Sequence, residues 1–557
     1  MPDIVLVQPP IEDFYLTAKR TVPYGLLCLA AHLEQASFSV ALVDGLASSR
    51  SRVIARPPEM ASLEPFYGRP DSSPFALFHD YRHYGYSFAH IARQVKLAEP
   101  FLVGISALFT PYAATALATA AAIRKELPGV RIVVGGHHAT VLPEAVLADP
   151  EIDFVIRGEG EAAMVELARL VRAGVSAADP GWERVPGLAR RRPDGSFQVS
   201  PPAVLESLAD RPRPAGHLLA RSYYRRRGRG AIVVMASRGC PLACSYCSVS
   251  RYGWQPYRRR PVAEVLEEIA GELDREEIGF IDFEDENLSL DRAWFNSLLA
   301  GLEKLRRGRE FEVRAMNGLF PPSLDRELVA GMAAAGFKTL NLAVATFDRE
   351  QLQRFCRPDV GPAHARVLEW GRELGLEAVS YLVAAAPGQS AAVSLADLVE
   401  LARRPTLVGL SIFYPAPGSR DYERVRELGL LPEKFSLLRS SALPLAHRTS
   451  RLEAATLLRL SRLINFCKGL EKEGEPLPAA EPFPGPGTRL PRPDSRRPEV
   501  TTAWRREAGR RLLGWFLDDG RIYGLTPEGE VYAHRVAATL TGKLQQQLSG
   551  LFPGRGG

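Results

Sequence analysis

The feature that most constrains this chain is the alternation of strand-like and helix-like segments over its first 175 residues. Ile4-Val5-Leu6-Val7 is a short apolar run ending at Pro9-Pro10. A helical stretch over 25–33 leads to a second run, Val40-Ala41-Leu42-Val43-Asp44. Residues 46–86 break the rhythm and read as an inserted loop region. Strands at 101–106, 131–134 and 154–156 then alternate with helices at 112–126, from about 141, and at 161–173. Short apolar runs bounded by turn residues fit strands buried on both faces. Alternating with helices, they predict a doubly wound parallel sheet, whose ligands meet the carboxyl ends of the strands. Those ends carry Gly104-Ile105-Ser106, Gly135-Gly136-His137-His138 and Arg157-Gly158-Glu159-Gly160. Glycine lets a planar or phosphate-bearing ligand approach the backbone, although tight turns account for the same residues equally well.

A second alternation starts near residue 231. Ile232-Val233-Val234-Met235 reads as a buried strand and runs into Arg238-Gly239-Cys240-Pro241-Leu242-Ala243-Cys244-Ser245-Tyr246-Cys247. Three of the six cysteines fall within eight residues, spaced C-x3-C-x2-C. Thiolates are soft ligands suited to iron–sulfur clusters. A zinc site would want a fourth Cys or His at matching spacing. A disulfide would leave an odd thiol and needs an oxidising compartment. On a four-iron cluster, three thiolates leave one iron open. Further strands follow at 280–283, ending in Glu284-Asp285-Glu286-Asn287, and at 311–315 and 339–344. Two more, at 378–383 and 407–412, end at Pro387-Gly388-Gln389 and Pro415-Ala416-Pro417-Gly418-Ser419. About six β/α units fit an open partial barrel better than a closed one of eight.

The cysteine spacing, with Tyr246 before the last cysteine, resembles the cluster motif of the radical SAM superfamily. Pro9-Pro10, Tyr24-Gly25-Leu26, Gly104-Ile105-Ser106 and the glycine turns resemble the cobalamin-binding domain that precedes the barrel in one class of that superfamily. The resemblance spans roughly residues 1–470. The fold it implies is α/β: an N-terminal Rossmann-like cobalamin-binding domain over 1–175, a linker over 176–230 and a partial (β/α)6 TIM-type radical SAM core over 231–430. A helical extension over 431–473, a Pro/Gly/Arg-rich linker over 474–500 and a small region over 501–557 complete a mainly helical C-terminal part. The implied cofactors are a [4Fe-4S] cluster on Cys240, Cys244 and Cys247, S-adenosylmethionine bordered by Tyr246, Asp285, Pro387, Gly388 and Gln389, and cobalamin against Ser106, Gly135, Gly136, Gly158 and Glu159. Asp285 best matches the acidic group that holds the S-adenosylmethionine ammonium, which needs an acceptor-rich partner. Glu284 and Glu286 are close rivals.

Two departures qualify the match. The D-x-H-x-x-G cobalt-ligand motif is absent, so the implied cobalamin has no histidine on its lower face, and His137 and His138 are expected to be loop hydrogen-bonders. Ala343-Val344-Ala345-Thr346 stands where relatives carry a G-x-E-S-like turn, so a ribose contact is not carried over, and Thr346 replaces it only in part. The implied reaction is methylation of an unreactive carbon or phosphorus through a deoxyadenosyl radical. Cyclisation or rearrangement is the first alternative. A non-catalytic iron–sulfur or cobalamin-binding protein is an alternative of another class. The absence of a nucleophile–base constellation agrees with radical hydrogen abstraction. A small-molecule substrate, a natural-product or lipid precursor, and an electron donor such as flavodoxin or ferredoxin complete the expectation.

A net charge of +6 over 557 residues is mild. The run Arg225-Arg226-Arg227-Gly228-Arg229 lacks an aromatic-rich partner motif, so it is expected to be a solvated linker rather than a nucleic-acid patch. Residues 100–123 carry no charge and are long enough to span a bilayer. Ser, Thr, Gly and Pro interrupt them, as in a buried strand–loop–helix unit. Met1-Pro2-Asp3 opens directly into a strand, so no secretory signal is expected and the thiols should be reduced in the cytoplasm. Cys356 and Cys467 are expected to be small buried hydrophobes.

Overall fold

The computed structural model describes residues 1–17, 21–249, 253–493 and 497–553. Its first sheet has seven strands in the order Phe197–Val199, Leu188–Arg191, Phe154–Ile156, Arg131–Gly135, Leu102–Ser106, Ile4–Gln8, Val40–Asp44. The last five are mutually parallel. Side chains alternate across each strand. Val5 and Val7 therefore enter one core with Ile91, Val95, Ala116 and Ile123. Ile4 and Leu6 enter the opposite one with Leu26, Ala30, Met164 and Leu167. The helices behind them are Phe88–Ala98 and Ala113–Glu126 on one face, Tyr24–Gln35 and Gly160–Arg172 on the other. The uncharged run over 100–123 is thus an inner strand and its helix. Among the described residues no helix is long and apolar enough to cross a membrane.

The segment 176–230, expected to be a linker with one small strand at Phe197-Gln198-Val199, has that strand and a second one, and together they widen this sheet. Leu188–Arg191 and Phe197–Val199 join its edge antiparallel. The basic run also departs from expectation. Arg225 pairs with Gly230 and Arg226 with Arg229, turning at Arg227 (φ 50°) and Gly228 (φ 80°) in a tight hairpin.

Six parallel strands follow in two groups, Arg229–Val234, Ile278–Phe283 and Glu312–Ala315, then Thr339–Ala345, Glu377–Ala384 and Leu407–Ile412. Single bridges, Val313 to Phe337 and Leu319 to Leu342, join the groups into an open arc. Helices cover the outside. Arg326–Ala335 is representative: Asp325 accepts from Leu328 N at its start, and Gly336 (φ 106°) ends it in the left-handed conformation.

The last hundred residues are built on the arc. Helix Arg451–Lys472 starts with a capping box between Ser450 and Glu453. Its Leu457, Leu460 and Ile464 share one core with Leu395, Leu398 and Leu401 of the arc and with Leu512, Phe516 and Leu544 of the tail. The segment 46–86, expected to be an inserted loop region, instead carries Ser51–Val53 and Arg82–Tyr84, which pair antiparallel beside Ile11–Asp13, and its Met60, Leu63, Tyr67 and Phe75 enter that same core. The stretch over 474–493 has no helix or strand, yet Leu477, Phe483 and Leu490 pin it to the tail.

Candidate active site

The cysteines sit on a loop that leaves Arg229–Val234 at its carboxyl end. Ser237–Arg238 pairs antiparallel with Arg258–Arg259 and closes the loop at its base. Gly239 (φ 76°) is required there, because a Cβ would lie 2.4 Å from Pro256 O. Ser245 N donates to Phe355 O at 2.9 Å, its hydroxyl donates to Asp421 Oδ2 at 2.9 Å, and Asp421 N donates back to Ser245 O at 2.9 Å. Cys240 and Cys244 are buried and Cys247 is half-buried. Burial pushes the Cys247 thiol up to about 12 and raises Cys240, and the neighbouring cysteines add to both shifts. Three crowded soft donors, costly to ionise without a cation, suit a metal cluster. Among the described residues no three His, Cys, Asp or Glu side chains are grouped to grip a single metal ion. A cluster, whose thiolates each bind a different iron, asks for a wider spacing.

Tyr246 sets its ring edge-on against Phe355 at 4.8 Å and accepts from Arg357 Nη1 at 3.4 Å. The same guanidinium nitrogen is 3.4 Å from Cys244 Sγ. Nothing in the local sequence marked Arg357, which comes into place only when the arc brings residues 343–357 beside the cysteines.

The carboxylates at the acidic strand end have different partners. Asp285 is buried and accepts from Ala236 N at 3.2 Å and from the Ser237 hydroxyl. It holds the strand that launches the cysteine loop, and burial pushes its carboxyl up to about 6. Glu286 faces that loop, where burial pushes it up to about 7 and its Oε2 is buried with no hydrogen-bond partner. Both Asp285 oxygens are thus taken, whereas Glu286 Oε2 and Asn287 Oδ1 are among the buried acceptors here without a hydrogen-bond partner. In the turn 387–389, Gly388 N donates to His447 Nδ1 at 3.1 Å and Gly388 O accepts from Arg354 at 2.8 Å. The Gln389 amide closes its own turn, accepting from Ala386 N and donating to Val383 O. Thr346 donates to Asp397 at 2.6 Å, so its hydroxyl is committed. Ala345 (φ 74°) and Ala385 (φ 60°) hold left-handed conformations at neighbouring strand ends, a strain typical of functional sites. Cys356 is exposed, unlike the buried Cys467, because it lies on a left-handed turn (φ 50°) after Arg349–Arg354.

Ser106, Gly135 and Gly158 stand at or just past the carboxyl ends of the first sheet. A Cβ on Gly135 would meet nothing closer than Ile156 O at 3.7 Å, so this glycine leaves an open cradle. Gly136 (φ 110°) and Gly158 (φ 82°) are fixed by the chain itself, since a Cβ would lie 2.8 Å from Ala107 O and 2.2 Å from Ala203 O respectively. Glu159 is turned away from the cradle. It accepts from Leu205 N, Gln255 and Arg258, and Arg238 lies at 3.3 Å. Glu161 beside it pairs with Arg238 at 2.6 Å and Arg211 at 2.8 Å. His137 and His138 lie in a short helix, His137–Val141, not in a loop. His138 Nδ1 is 3.3 Å from Thr110 Oγ1, and His137 Nε2 is buried with no partner. Gly135's open cradle and this orphaned nitrogen fit a large polar-rimmed ligand. A Cβ on Gly418 would stand 2.9 Å from Val141 and 3.9 Å from Ser248. The first domain, the cysteine loop and the turn after the sixth strand therefore converge on one point.

A doubly wound sheet with an open strand-end cradle, docked against a six-strand arc carrying three crowded thiols, defines a cobalamin-binding radical SAM protein. The B12 binding domain model matches residues 77–168 and the Radical SAM superfamily model matches residues 234–400, and the chain belongs to the proteins that join these two domains. Its cofactors are accordingly cobalamin, a [4Fe-4S] cluster and S-adenosylmethionine. The chain is 30% identical over 296 residues to an uncharacterized methyltransferase of Pyrococcus horikoshii, covering 50% of this chain and 53% of that one. It is 30% identical over 208 residues to the anaerobic magnesium-protoporphyrin IX monomethyl ester cyclase of Rubrivivax gelatinosus, covering 37% of each. The match to the cytidylyl-2-hydroxyethylphosphonate methyltransferase of Streptomyces wedmorensis is 24% identical and covers 69% of this chain and 73% of that one. Among solved structures it shares its fold with the radical S-adenosylmethionine methyltransferase TsrM of Kitasatospora setae, at TM-score 0.57 and 19% identity over 77% of this chain and 75% of that one. The cobalamin-dependent radical enzyme OxsB aligns at TM-score 0.62 and 12% identity over 93% and 72%. The chain thus spans about half or less of the first two curated relatives.

Proposed function

We propose that this protein is a cobalamin-dependent methyltransferase that acts on an unreactive carbon or phosphorus of a small molecule, a natural-product or lipid precursor. The observation that supports the reading is the close approach of Val141 and Ser248 to Gly418, which brings the first domain and the cysteine loop to the turn after the sixth strand. Methyltransferases among its relatives support the same reading. In it, Cys240, Cys244 and Cys247 hold the cluster, with Tyr246 and the turn Pro387-Gly388-Gln389 bordering S-adenosylmethionine. Glu286 accepts from the S-adenosylmethionine ammonium, and Asp285 behind it fixes the strand end. Ser106 and Gly135 border the cobalamin. When bound, these groups supply one electron, a carbon radical and a methyl group. The chain itself supplies position and dryness. Ala345, Phe355, Ala386 and Phe413 form an apolar wall beside Tyr246 that keeps water from the radical. The working compartment is the cytoplasm, with a flavodoxin or ferredoxin as donor.

Cyclisation is the second reading, favoured by the cyclase relative. Product analysis separates the two. Methyl transfer consumes two S-adenosylmethionine molecules per turnover and should give S-adenosylhomocysteine and 5′-deoxyadenosine in about equal amounts. Substrate turnover with deoxyadenosine alone would reject methyl transfer.

A further inference from the structure

Arg357 lies more than a hundred residues beyond the cysteines and is only 8% exposed. Nε and Nη2 donate to the carbonyls of Val344 and Ala343. Nη1 lies 3.4 Å from Cys244 Sγ and 3.4 Å from the Tyr246 hydroxyl, and the Phe320 ring centre is 5.6 Å from the guanidinium carbon. Among the described residues this guanidinium meets carbonyls, a thiol, a phenol and a ring, and no carboxylate. A buried cation without a counter-anion is costly, and burying one is tolerated where an anion completes it. Of its two ionisable neighbours, Tyr246 and Cys244, the sulfur is the one that binding to iron would deprotonate outright.

We infer that Arg357 is a positioning residue for the cluster, its fixed charge and hydrogen bond to the Cys244 sulfur making the cluster easier to reduce. The inference rests on the three cysteines being the cluster ligands. Reduction by a low-potential one-electron donor adds one negative charge and moves no proton. A fixed cation and a donor to a coordinating sulfur both favour the more negative state. Arginine suits the task because it stays charged when buried, and its fork can hold two carbonyls while one nitrogen faces the sulfur.

The test uses the full chain, reconstituted anaerobically, with iron counted and the midpoint found by mediated titration followed by electron paramagnetic resonance. Arg357→Gln should hold its cluster but show, at the wild-type midpoint, a reduced-to-oxidised ratio lower by about tenfold or more, about 59 mV for one electron. Arg357→Lys should recover part of the shift. An arginine that merely propped the loop would lower iron content and leave the midpoint of the remaining clusters unchanged, and that result overturns the inference. Should Arg357→Gln fail to hold iron, wild-type protein labelled with guanidino-15N arginine decides. The reduced cluster should show a 15N hyperfine coupling, and its absence also overturns the inference. Wild-type protein that holds no iron would instead refute the cluster reading itself.

Discussion

Neighbouring glycines at the end of strand Arg131–Gly135 do different work. Gly136 is dictated by its own backbone, with φ 110° and Ala107 within 2.8 Å of any Cβ. Gly136→Ala should therefore destabilise the apoprotein by about 1–3 kcal/mol from its glycine-only backbone conformation alone, with the clash adding to it. Gly135 has room, so Gly135→Leu should leave the urea midpoint nearly unchanged and abolish hydroxocobalamin uptake measured by visible titration. Retained uptake would remove the corrin from this cradle. Asp44, at the end of its strand, accepts from the Tyr224 hydroxyl of the segment leading to the arc, and burial pushes it from 3.8 up to about 6. Below about pH 4 it is neutral in both folded and unfolded chains. As pH rises to about 6 the unfolded chain ionises it while the fold keeps the proton, so stability falls across that window by on the order of 3 kcal/mol and then levels. Asp44→Asn should flatten that slope in urea unfolding of the apoprotein. The cysteines stand out in the sequence because their spacing is local. The different partners of Asp285 and Glu286 do not. Both lie in the turn past Ile278–Phe283 and both are buried against the segment 236–239, so their different partners follow only from how that segment packs on the turn.

At the scale of elements, helix Gly160–Arg172 is fastened to the cysteine loop by Glu161 and Arg238. The pair is 2.6 Å long with side chains 4% and 14% exposed. Arg169 and Glu166 on the same helix are also 2.6 Å apart, but about half exposed. Burial separates them. Arg238→Ala strips a buried carboxylate of one partner and should cost about 3–5 kcal/mol in urea unfolding. Arg169→Ala should cost under about 1 kcal/mol. Equal effects would mean that the first domain is not held through this contact. The strand–helix alternation was readable where runs were apolar and uninterrupted. Helix Phe88–Ala98 was missed because it follows a stretch without long apolar runs. Leu188–Arg191 was missed because its apolar run is only Leu188-Ala189 before Arg190 and Arg191, too short for a hydrophobic run to reveal. The basic hairpin escaped for the same reason.

On the whole molecule, one core joins the inserted segment over 54–81, the last strands of the arc and the C-terminal helices. The order of the two cofactor domains was legible from local motifs. Their docking was not, because it depends on Glu159, Glu161, Tyr24 and Asp44 meeting Arg258, Arg238, Glu268 and Tyr224 across long sequence separations. The central claim is that two separate sites, one on the first domain and one on the arc, load one chain. Iron and cobalt counted per chain after anaerobic reconstitution with hydroxocobalamin test it most directly. Wild-type protein should hold about four irons and one cobalt. Replacing Cys240, Cys244 and Cys247 together by Ala should remove the iron and keep the cobalt, while replacing Cys356 or Cys467 should change neither. Full iron in the triple variant, or no cobalt in a folded, iron-loaded wild-type chain, would contradict the account.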